Sequence, residues 1–330
     1  MGMKKPPTVH DVARLSGVST ATVSRYFNNK RAVLSPDTLE RVKKAVAELN
    51  YTPSEVGRSL RLSRSNIVMM LVPDATNFFT ADVAVSVEMA LRDIGRTLVL
   101  ANTSENADNQ DKLLDEAVGM RAEAVILQGG IDTPKLRSMV KQHANCIFVN
   151  RRPAAEVPAP YVGVDNFAAG KAVGEYFESK GYQNLIAIHG PKHYPGSTSR
   201  LDGFLLGCGQ PEAVTQIESS YRVEDGYMVA KSIFAKPEKE YSIFCANDMI
   251  AYGVHRAAIE HGLDVPGNVR VFGFDGCRVN KWLAPWLSTV RVRTELFGPA
   301  VADLIDGSTK QGLVPQSSLF PFELIKSSSA

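Results

Sequence analysis

The stretch TVHDVARLSGVSTATVSRYFNN, residues Thr8–Asn29, decides the fold of the N-terminal part of this 330-residue chain. Thr8 and Asp11 have the spacing of a helix N-cap and its capping-box partner, which predicts a first helix over Thr8–Leu15. Gly17 tolerates the positive φ that a tight turn between two helices requires. The order of cap, helical run and glycine is typical of the first half of a helix-turn-helix unit.

A second helix is predicted over Thr20–Phe27, with Ser19 as its N-cap. Apolar residues supply the packed side of the two helices: Val12, Val18, Val23 and Phe27. Short or donor-bearing side chains remain on the outer side of the second helix: Thr20, Ala21, Thr22, Ser24 and Arg25. Such a surface suits a helix that enters the major groove of DNA and reads base edges. Taken alone, the pattern also fits a small helical hairpin on a protein surface.

The residues that follow favour the DNA-reading interpretation. Ser35 and Pro36 mark the start of a third helix, whose apolar side is formed by Leu39, Val42, Val46 and Leu49. The sequence NYTP at Asn50–Pro53 ends it, and Ser54–Leu60 predicts one or two more helical turns. The motifs DVARLSGVSTATVSR, NYTP and GRSL resemble the DNA-binding headpiece and hinge of the lactose/galactose repressor (LacI/GalR) family. The similarity extends to about residue 325.

The resemblance implies an α/β protein built from three parts. An all-α helix-turn-helix headpiece and a hinge helix precede two doubly wound parallel-sheet lobes, similar to periplasmic sugar-binding proteins. The expected boundaries are 1–52 for the headpiece, 53–65 for the hinge helix and linker, and 66–330 for the effector-binding and dimerisation domain. Lobe 1 is expected to comprise about 66–161 and 292–320, and lobe 2 about 162–291 and 321–330. Independently, strand-like and helical runs alternate from residue 66 onward, which predicts parallel sheets.

The end of the chain bears on assembly. Leu319–Ile325 is predicted as one late strand, and Ser327–Ala330 as a loose tail. No leucine heptad follows that could form a four-stranded coil. We therefore expect a homodimer, formed through the two-lobe body.

Charge is distributed unevenly along the chain. Residues 1–64 hold 12 Lys and Arg against 5 Asp and Glu, a net charge of +7, whereas the remainder holds 25 against 30. A basic head on a mildly acidic body is typical of a nucleic-acid-binding module joined to another domain. The four cysteines include no C-x-x-C pair, so neither a zinc site nor a disulfide framework is expected. No apolar signal core or membrane-spanning run is found, which predicts a cytoplasmic protein without a membrane partner.

Polar residues at strand ends are candidates for ligand binding, because open α/β sheets bind ligands beyond the carboxyl ends of their strands. These candidates are Gln128, Asp165, Asn247 and Asp275, to which Arg200 and the aromatic residues Phe79 and Tyr221 are added. A carboxylate can accept from the hydroxyl groups of a polyol, and an arginine can donate to them. An aromatic ring forms a wall beside it, so this set of residues suits a polyol ligand. The resemblance implies effector contacts for Arg200, Asn247 and Asp275, and it matches Phe79, Asp165 and Tyr221 to pocket positions. The alternative for Asn247 and Asp275 is a purely structural role as caps.

The candidate DNA-binding residues come from the headpiece and hinge: Thr8, Ser19, Thr20, Ala21, Thr22, Ser24, Arg25, Asn28, Tyr51, Arg58 and Leu60. Arg25 is expected to read a guanine edge or to clamp a phosphate. Leu60 is expected to wedge into the minor groove from the paired hinge helices and so kink the site.

These observations predict a ligand-responsive, sequence-specific transcription regulator, specifically a repressor. Its partners would be pseudo-palindromic double-stranded operator DNA and a small sugar or sugar-like metabolite bound between the lobes. Lys192 and His193 near Arg200 leave an acidic or phosphorylated sugar as the alternative. The alternative is a sugar-modifying enzyme on the same body, but no P-loop, dinucleotide-binding glycine motif, nucleophile elbow or acid/base pair supports it. No cofactor is expected. No metal is expected either, because no helix places His189 and His193 on one face.

Overall fold

The structure, a computed structural model, describes residues 7–27, 33–52, 65–142, 145–152, 157, 159–236, 238–311 and 317–330. The chain divides into two compact units, residues 1–65 and 66–330. No described helix is long and apolar enough to cross a membrane.

The first unit contains three helices: α1 Val9–Ser16, α2 Thr20–Phe27 and α3 Pro36–Glu48. The predicted capping box is present, since Asp11 N–H donates to Thr8 Oγ1 at 3.4 Å and Thr8 N–H donates to Asp11 Oδ2 at 2.9 Å. Gly17 ends α1 with a φ of 66°. The core of the unit consists of Val12, Ala13, Val23, Val42 and Ala45. The hinge helix predicted within 53–65 lies almost entirely outside the described residues.

The second unit alternates strands and helices. Its strands are β1 Ile67–Val72, β2 Thr97–Asn102, β3 Ala124–Gln128, β4 Cys146–Val149, β5 Tyr161–Val164, β6 Leu185–His189, β7 Thr215–Glu218, β8 Tyr241–Cys245, β9 Val269–Asp275, β10 Ser288–Val292, β11 Ser318–Phe320 and β12 Phe322–Ile325. Its α-helices are α4 Phe78–Asp93, α5 Ala107–Gly119, α6 Pro134–Lys141, α7 Asn166–Ser179, α8 Pro195–Gly207, α9 Val223–Phe234, α10 Asp248–Glu260, α11 Asn280–Leu283 and α12 Phe297–Gln311. Short 3₁₀ helices occur at Pro211–Ala213 and Thr294–Leu296.

The strands form two six-stranded sheets, and each sheet is the centre of one lobe. The order is β11-β5-β4-β3-β1-β2 in the first sheet, which is entirely parallel. The order is β12-β10-β9-β8-β6-β7 in the second, where only β12 runs antiparallel to its neighbour. Helices cover both faces of each sheet: along β1, Val68 and Met70 pack on the α4 side and Met69 and Leu71 on the α5 side. The doubly wound prediction is therefore confirmed.

The chain passes from the first sheet to the second at about residue 321, where the lobe bounds were predicted, but through two strands rather than one. Leu319–Ile325 is not one strand, because β11 pairs with β5 in the first sheet and β12 pairs with β10 in the second. Pro321 separates them, since a proline has no N–H to continue a strand ladder. The first sheet also contains β5, so lobe 1 extends to 164, slightly beyond the approximate bound of 161 that was predicted.

The prediction of a loose C-terminal tail is also wrong. Ser329 is fully buried in the second lobe. Its Oγ accepts from Ser288 N–H at 2.8 Å and donates to the carbonyl of Val271 at 2.6 Å, and its carbonyl accepts from Val271 N–H at 2.8 Å. The tail is ordered because it satisfies backbone groups beside β9 and β10 that would otherwise be buried without partners.

Close helix packing sets the position of α8 in the second lobe. A Cβ atom on Gly170 of α7 would lie 2.1 Å from the carbonyl oxygen of Arg200, and one on Gly203 would lie 2.1 Å from that of Phe167. Only glycine lets the two backbones approach this closely. The same contact places Arg200 at the inner end of the lobe.

The inter-lobe cavity and the DNA-reading helix

A cavity of about 380 Å³ lies between the two lobes at the carboxyl ends of their strands. Six of the seven predicted effector residues line it: Phe79, Gln128, Arg200, Tyr221, Asn247 and Asp275. Further lining residues that sequence reasoning missed include Asn150, Arg151, Asn166 and Ser197. Gln128 is the last residue of β3, and Asn150 directly follows β4. The rule that ligands bind at the carboxyl ends of strands therefore applies to Asn150 as well.

Asp165 is the predicted residue that does not line the cavity. It is exposed and is the N-cap of α7, where its Oδ1 accepts from Ala168 N–H at 3.0 Å. The cap role turns its side chain toward the first turn of the helix. The next residue, Asn166, is buried and lines the cavity instead.

Arg200 is the buried cation of the cavity wall. Its Nε and Nη2 donate to Asn166 Oδ1 at 3.1 and 2.7 Å, and its Nη1 donates to the carbonyl of Ala246. The guanidinium carbon lies 3.4 Å from the centroid of the Phe274 ring. Burial lowers the pKa of this guanidinium, but an arginine stays charged in proteins. Two of its five N–H groups therefore have no acceptor among the described residues.

Asp275 ends β9 with an unusual backbone. Its φ is 104°, in a region that L-residues other than glycine rarely occupy, and Gly276 follows with a φ of 63°. Burial raises the pKa of the Asp275 carboxyl well above its usual range, while the charge of Arg200 opposes that shift. Three other non-glycine residues of the cavity wall also have positive φ: Asn150, Ser104 and Glu105. Backbone strain of this kind concentrates at ligand-binding sites.

Several polar atoms of the cavity wall have no hydrogen-bond partner in the part of the chain that the structure describes. They are Gln128 Oε1, Asn150 Oδ1 and Ser197 Oγ, all buried. Gln128 is oriented by its other end, since its Nε2 donates to Thr80 Oγ1 at 3.3 Å. A buried polar group without a partner is costly, so these atoms identify where a polar ligand would bind.

Asn247 has a structural role in addition to its place in the wall. Its Oδ1 accepts from Ile250 N–H at 2.9 Å, which caps α10, and its Nδ2 donates to the carbonyl of Tyr221 at 3.1 Å. Phe79 is also committed to packing, because its ring meets Phe297 edge to face at 6.1 Å. Both residues shape the cavity while their own groups are already engaged.

The headpiece exposes part of the predicted reading surface. Thr8, Ser19, Ala21 and Arg25 are exposed, whereas Thr20, Thr22 and Ser24 are half-buried. Ser19 Oγ is engaged at the helix start, where it accepts from Thr22 N–H at 3.2 Å. Tyr51 is half-buried, with its ring 5.8 Å from that of Phe27. Asn28, Arg58 and Leu60 lie outside the described residues.

No group of three or more His, Cys, Asp or Glu side chains among the described residues is arranged to hold a metal ion. All four cysteines are free and buried.

Both units match known protein families. Residues 8–54 match the model of bacterial regulatory proteins of the lacI family. Residues 65–328 match the model of periplasmic binding proteins and the sugar-binding domain of the LacI family.

Relatives and solved structures agree with these matches. The HTH-type transcriptional repressor PurR of Vibrio atlanticus (strain LGP32) is 30% identical over 288 residues, 86% of each chain. The Lac repressor dimer bound to operator and the anti-inducer ONPF has the same fold, with a TM-score of 0.86, 22% identity and coverage of 98% of this chain and 99% of that one. The CelR–cellobiose complex follows with a TM-score of 0.71, 25% identity and coverage of 98% and 100%. The chain belongs to the LacI family, and it is a ligand-responsive, sequence-specific DNA-binding transcription repressor.

Proposed function

We propose that the effector is an uncharged, hydroxyl-rich molecule, a sugar or sugar derivative, that binds in the inter-lobe cavity and changes operator affinity. The observation that carries this proposal is the set of unpartnered acceptors in the wall. Gln128 Oε1, Asn150 Oδ1 and Ser197 Oγ can each accept from a ligand hydroxyl, and the Asp275 carboxyl of the same wall supplies further acceptor oxygens. The two N–H groups of Arg200 that have no acceptor among the described residues can donate to hydroxyl oxygens beside them.

The charges of the cavity support an uncharged ligand over an acidic one. Arg151 pairs with Glu105 at 3.3 Å, and Arg222 pairs with Glu224 at 3.6 Å. An anionic ligand would have to compete with these carboxylates for each arginine. The other carboxyl and guanidinium groups of the wall belong to Arg200, Asp275 and Asp74, and Asp74 already accepts two hydrogen bonds from Thr76. The Arg200 fork and the Asp275 carboxyl therefore supply a donor and an acceptor for neighbouring hydroxyl groups.

Size and aromatic surface support a small sugar. The volume of about 380 Å³ is near the low end of the range of roughly 300–1,000 Å³ for ligand pockets. Tyr221 contributes ring surface against which the apolar face of a sugar can pack. The similar CelR protein is known in complex with cellobiose.

A thermal-shift screen tests the ligand class. The full chain would be melted with neutral mono- and disaccharides, with their phosphorylated forms and with purine bases. Selective binding to the folded state raises the melting temperature, and we expect this for neutral sugars. A shift confined to phosphorylated sugars or to bases would contradict the proposal. The Asp275→Asn variant is the control, since it keeps the shape of the side chain and removes its charge.

We further propose that the cavity binds its ligand without converting it. The similar PurR proteins are transcriptional repressors, which supports this. Chromatography of each stabilising sugar after prolonged incubation with the protein should return it unchanged.

We propose that the active assembly is a homodimer formed through the two-lobe body. Two apolar groups with large exposed side chains lie near each other: Val85 and Met89 on α4, and Trp282 and Leu283 on α11. Arg278, just before α11, donates its N–H to Asp82 of α4 at 3.3 Å and so joins the two groups. Exposed apolar side chains on both lobes, on two helices linked by this hydrogen bond, support contact with a second copy.

A further inference from the structure

One cation of lobe 1 lies between two aromatic rings of lobe 2. The guanidinium carbon of Arg151, which follows β4, is 4.2 Å from the ring centroid of Tyr194 and 4.7 Å from that of Tyr221. Tyr194 precedes α8 and Tyr221 precedes α9. Only 12% of the Arg151 side chain is exposed, so this cation–π contact is largely shielded from water.

Glu105 completes the cluster from lobe 1. Its Oε1 lies 3.3 Å from Arg151 Nη1 and accepts from the hydroxyl of Tyr194 at 3.5 Å. The carboxylate therefore orients the guanidinium and also reaches the second lobe. We call Glu105, Arg151, Tyr194 and Tyr221 the Arg151 clamp.

Two glycines provide the space that the clamp requires. Gly129 has a φ of 85°, and a Cβ atom there would lie 2.8 Å from Arg151 Nη1. A Cβ atom on Gly190 would lie 2.2 Å from Tyr221 Cζ. A side chain at either position would displace Arg151 or Tyr221. The absence of a side chain at Gly129 in lobe 1 and at Gly190 in lobe 2 therefore leaves the space that the clamp occupies.

We propose that the Arg151 clamp is a latch that holds the two lobes together on one side of the cavity in the absence of effector. The inference rests on the proposed function only in that the effector is taken to bind between the lobes. Binding an effector between mobile lobes costs conformational entropy. Because the latch already orders the lobes in the free protein, less entropy is lost on binding and effector affinity is higher. Arg151 and Tyr194 are positioning residues for the effector site.

The clamp offers a way to separate latching from direct effector contact. Arg151, Glu105 and Tyr221 line the cavity, but Tyr194 does not. Loss of the Tyr194 ring therefore weakens the latch without removing a lining side chain. Tyr194→Phe keeps the ring and removes only the hydroxyl, so it serves as the conservative control.

The test measures the distance between the lobes without any effector. Spin labels would be placed on the full chain at V118C in α5 and M228C in α9, whose native side chains are 63% and 60% exposed. The native cysteines are buried, so the labels would attach to the introduced thiols. Labelled chains would be mixed with excess unlabelled chain, so that an oligomer carries one labelled copy at most.

We expect a single narrow distance distribution for the parent chain and only a small change for Tyr194→Phe, which keeps the ring contact with Arg151 and loses the hydrogen bond to Glu105. Arg151→Leu and Tyr194→Leu should each shift the equilibrium toward a second distance by roughly tenfold, as expected for loss of a shielded cation–π contact. If both leucine variants fold with a parent-like melting temperature and keep the parent distribution, the latch is refuted. A broad distribution already present in the parent chain would refute it as well. Neither outcome depends on the identity of the effector, so it leaves the proposed ligand class standing.

Discussion

Asn166 Oδ1 accepts two hydrogen bonds from Arg200, at 3.1 Å from Nε and 2.7 Å from Nη2. The two donors lie on the same edge of the guanidinium, so this oxygen, together with the Ala246 carbonyl that accepts from Nη1, orients the group. The remaining N–H groups are thereby presented along the cavity wall. Asn166 is thus a positioning residue for the cation that we propose as an effector contact.

We predict that Asn166→Ala weakens effector binding by tenfold or more while Asp165→Ala does not. Losing a hydrogen bond to a charged group costs about 1.5–3 kcal/mol, and the fork would be held in its binding orientation only by its hydrogen bond to the Ala246 carbonyl. Asp165 only caps α7, so its loss should cost about 1 kcal/mol of stability. Isothermal titration and melting curves on both variants make the comparison. If Asn166→Ala and Asp165→Ala weakened effector binding equally, the prediction would be contradicted.

We predict that Asp275→Ala and Arg200→Ala fold, bind operator and no longer respond to the effector. Each removes a charge-assisted contact worth about 1.5–3 kcal/mol, a loss of roughly ten- to a hundredfold in affinity. The measurement is operator binding with and without effector. If the effector is a co-repressor, the same variants should fail to bind operator tightly in its presence. A folded Asp275→Ala protein that responds at the parent effector concentration would remove Asp275 from the site.

The buried carboxyl of Asp248 should make the stability of the folded chain depend on pH. Burial raises the pKa of its carboxyl to about 6, although hydrogen bonds from Thr289 Oγ1 at 2.6 Å and Cys277 N–H at 2.8 Å oppose the shift. Because the folded pKa lies above the unfolded value, the folded chain gains stability as the pH falls through about 6. We expect the difference in melting temperature between the parent chain and Asp248→Asn to shift in favour of the parent chain as the pH is lowered from 7 to 5. A difference that stays constant over this range would show that Asp248 does not titrate there.

Arg25 is exposed on α2, with a five-donor fork directed away from the headpiece core. We predict that Arg25→Ala weakens operator binding by about 1–3 kcal/mol and relaxes the preference at one base pair. Arg92→Ala is the matched control, because it removes an equal charge from an exposed position of the body. Binding to the operator and to its single-base variants would be measured at fixed salt. Unchanged affinity for all of them would exclude a base-reading role for Arg25.

The exposed residues of α11 test the assembly. Trp282 and Leu283 are 84% and 70% exposed, and large side chains of this kind anchor protein interfaces. We expect a dimer by light scattering at micromolar concentration and a monomer for Trp282→Arg. Leu206→Arg on α8, where the native side chain is 57% exposed, is the control and should remain dimeric. A tetrameric parent chain would contradict the prediction.

The sequence by itself determined the elements whose causes are local. The capping box of Thr8 and Asp11 and the glycine turn at Gly17 arise within a few residues, so their spacing was sufficient to predict α1 and α2. The alternation of strands and helices likewise predicted parallel sheets, and the strand-end rule found most of the residues that line the cavity.

Only the tertiary structure decided which neighbouring side chain faces the cavity and which distant residues meet. Successive helical residues point about 100° apart, so Asn166 faces inward while Asp165 caps the helix. Pro321 divides a predicted strand between two sheets, and Ser329 is buried by groups 41 and 58 residues earlier in the chain. Arg151 lies between Tyr194 and Tyr221 only because the lobes bring them together. Such contacts depend on the packing of the whole body, and no local pattern encodes them.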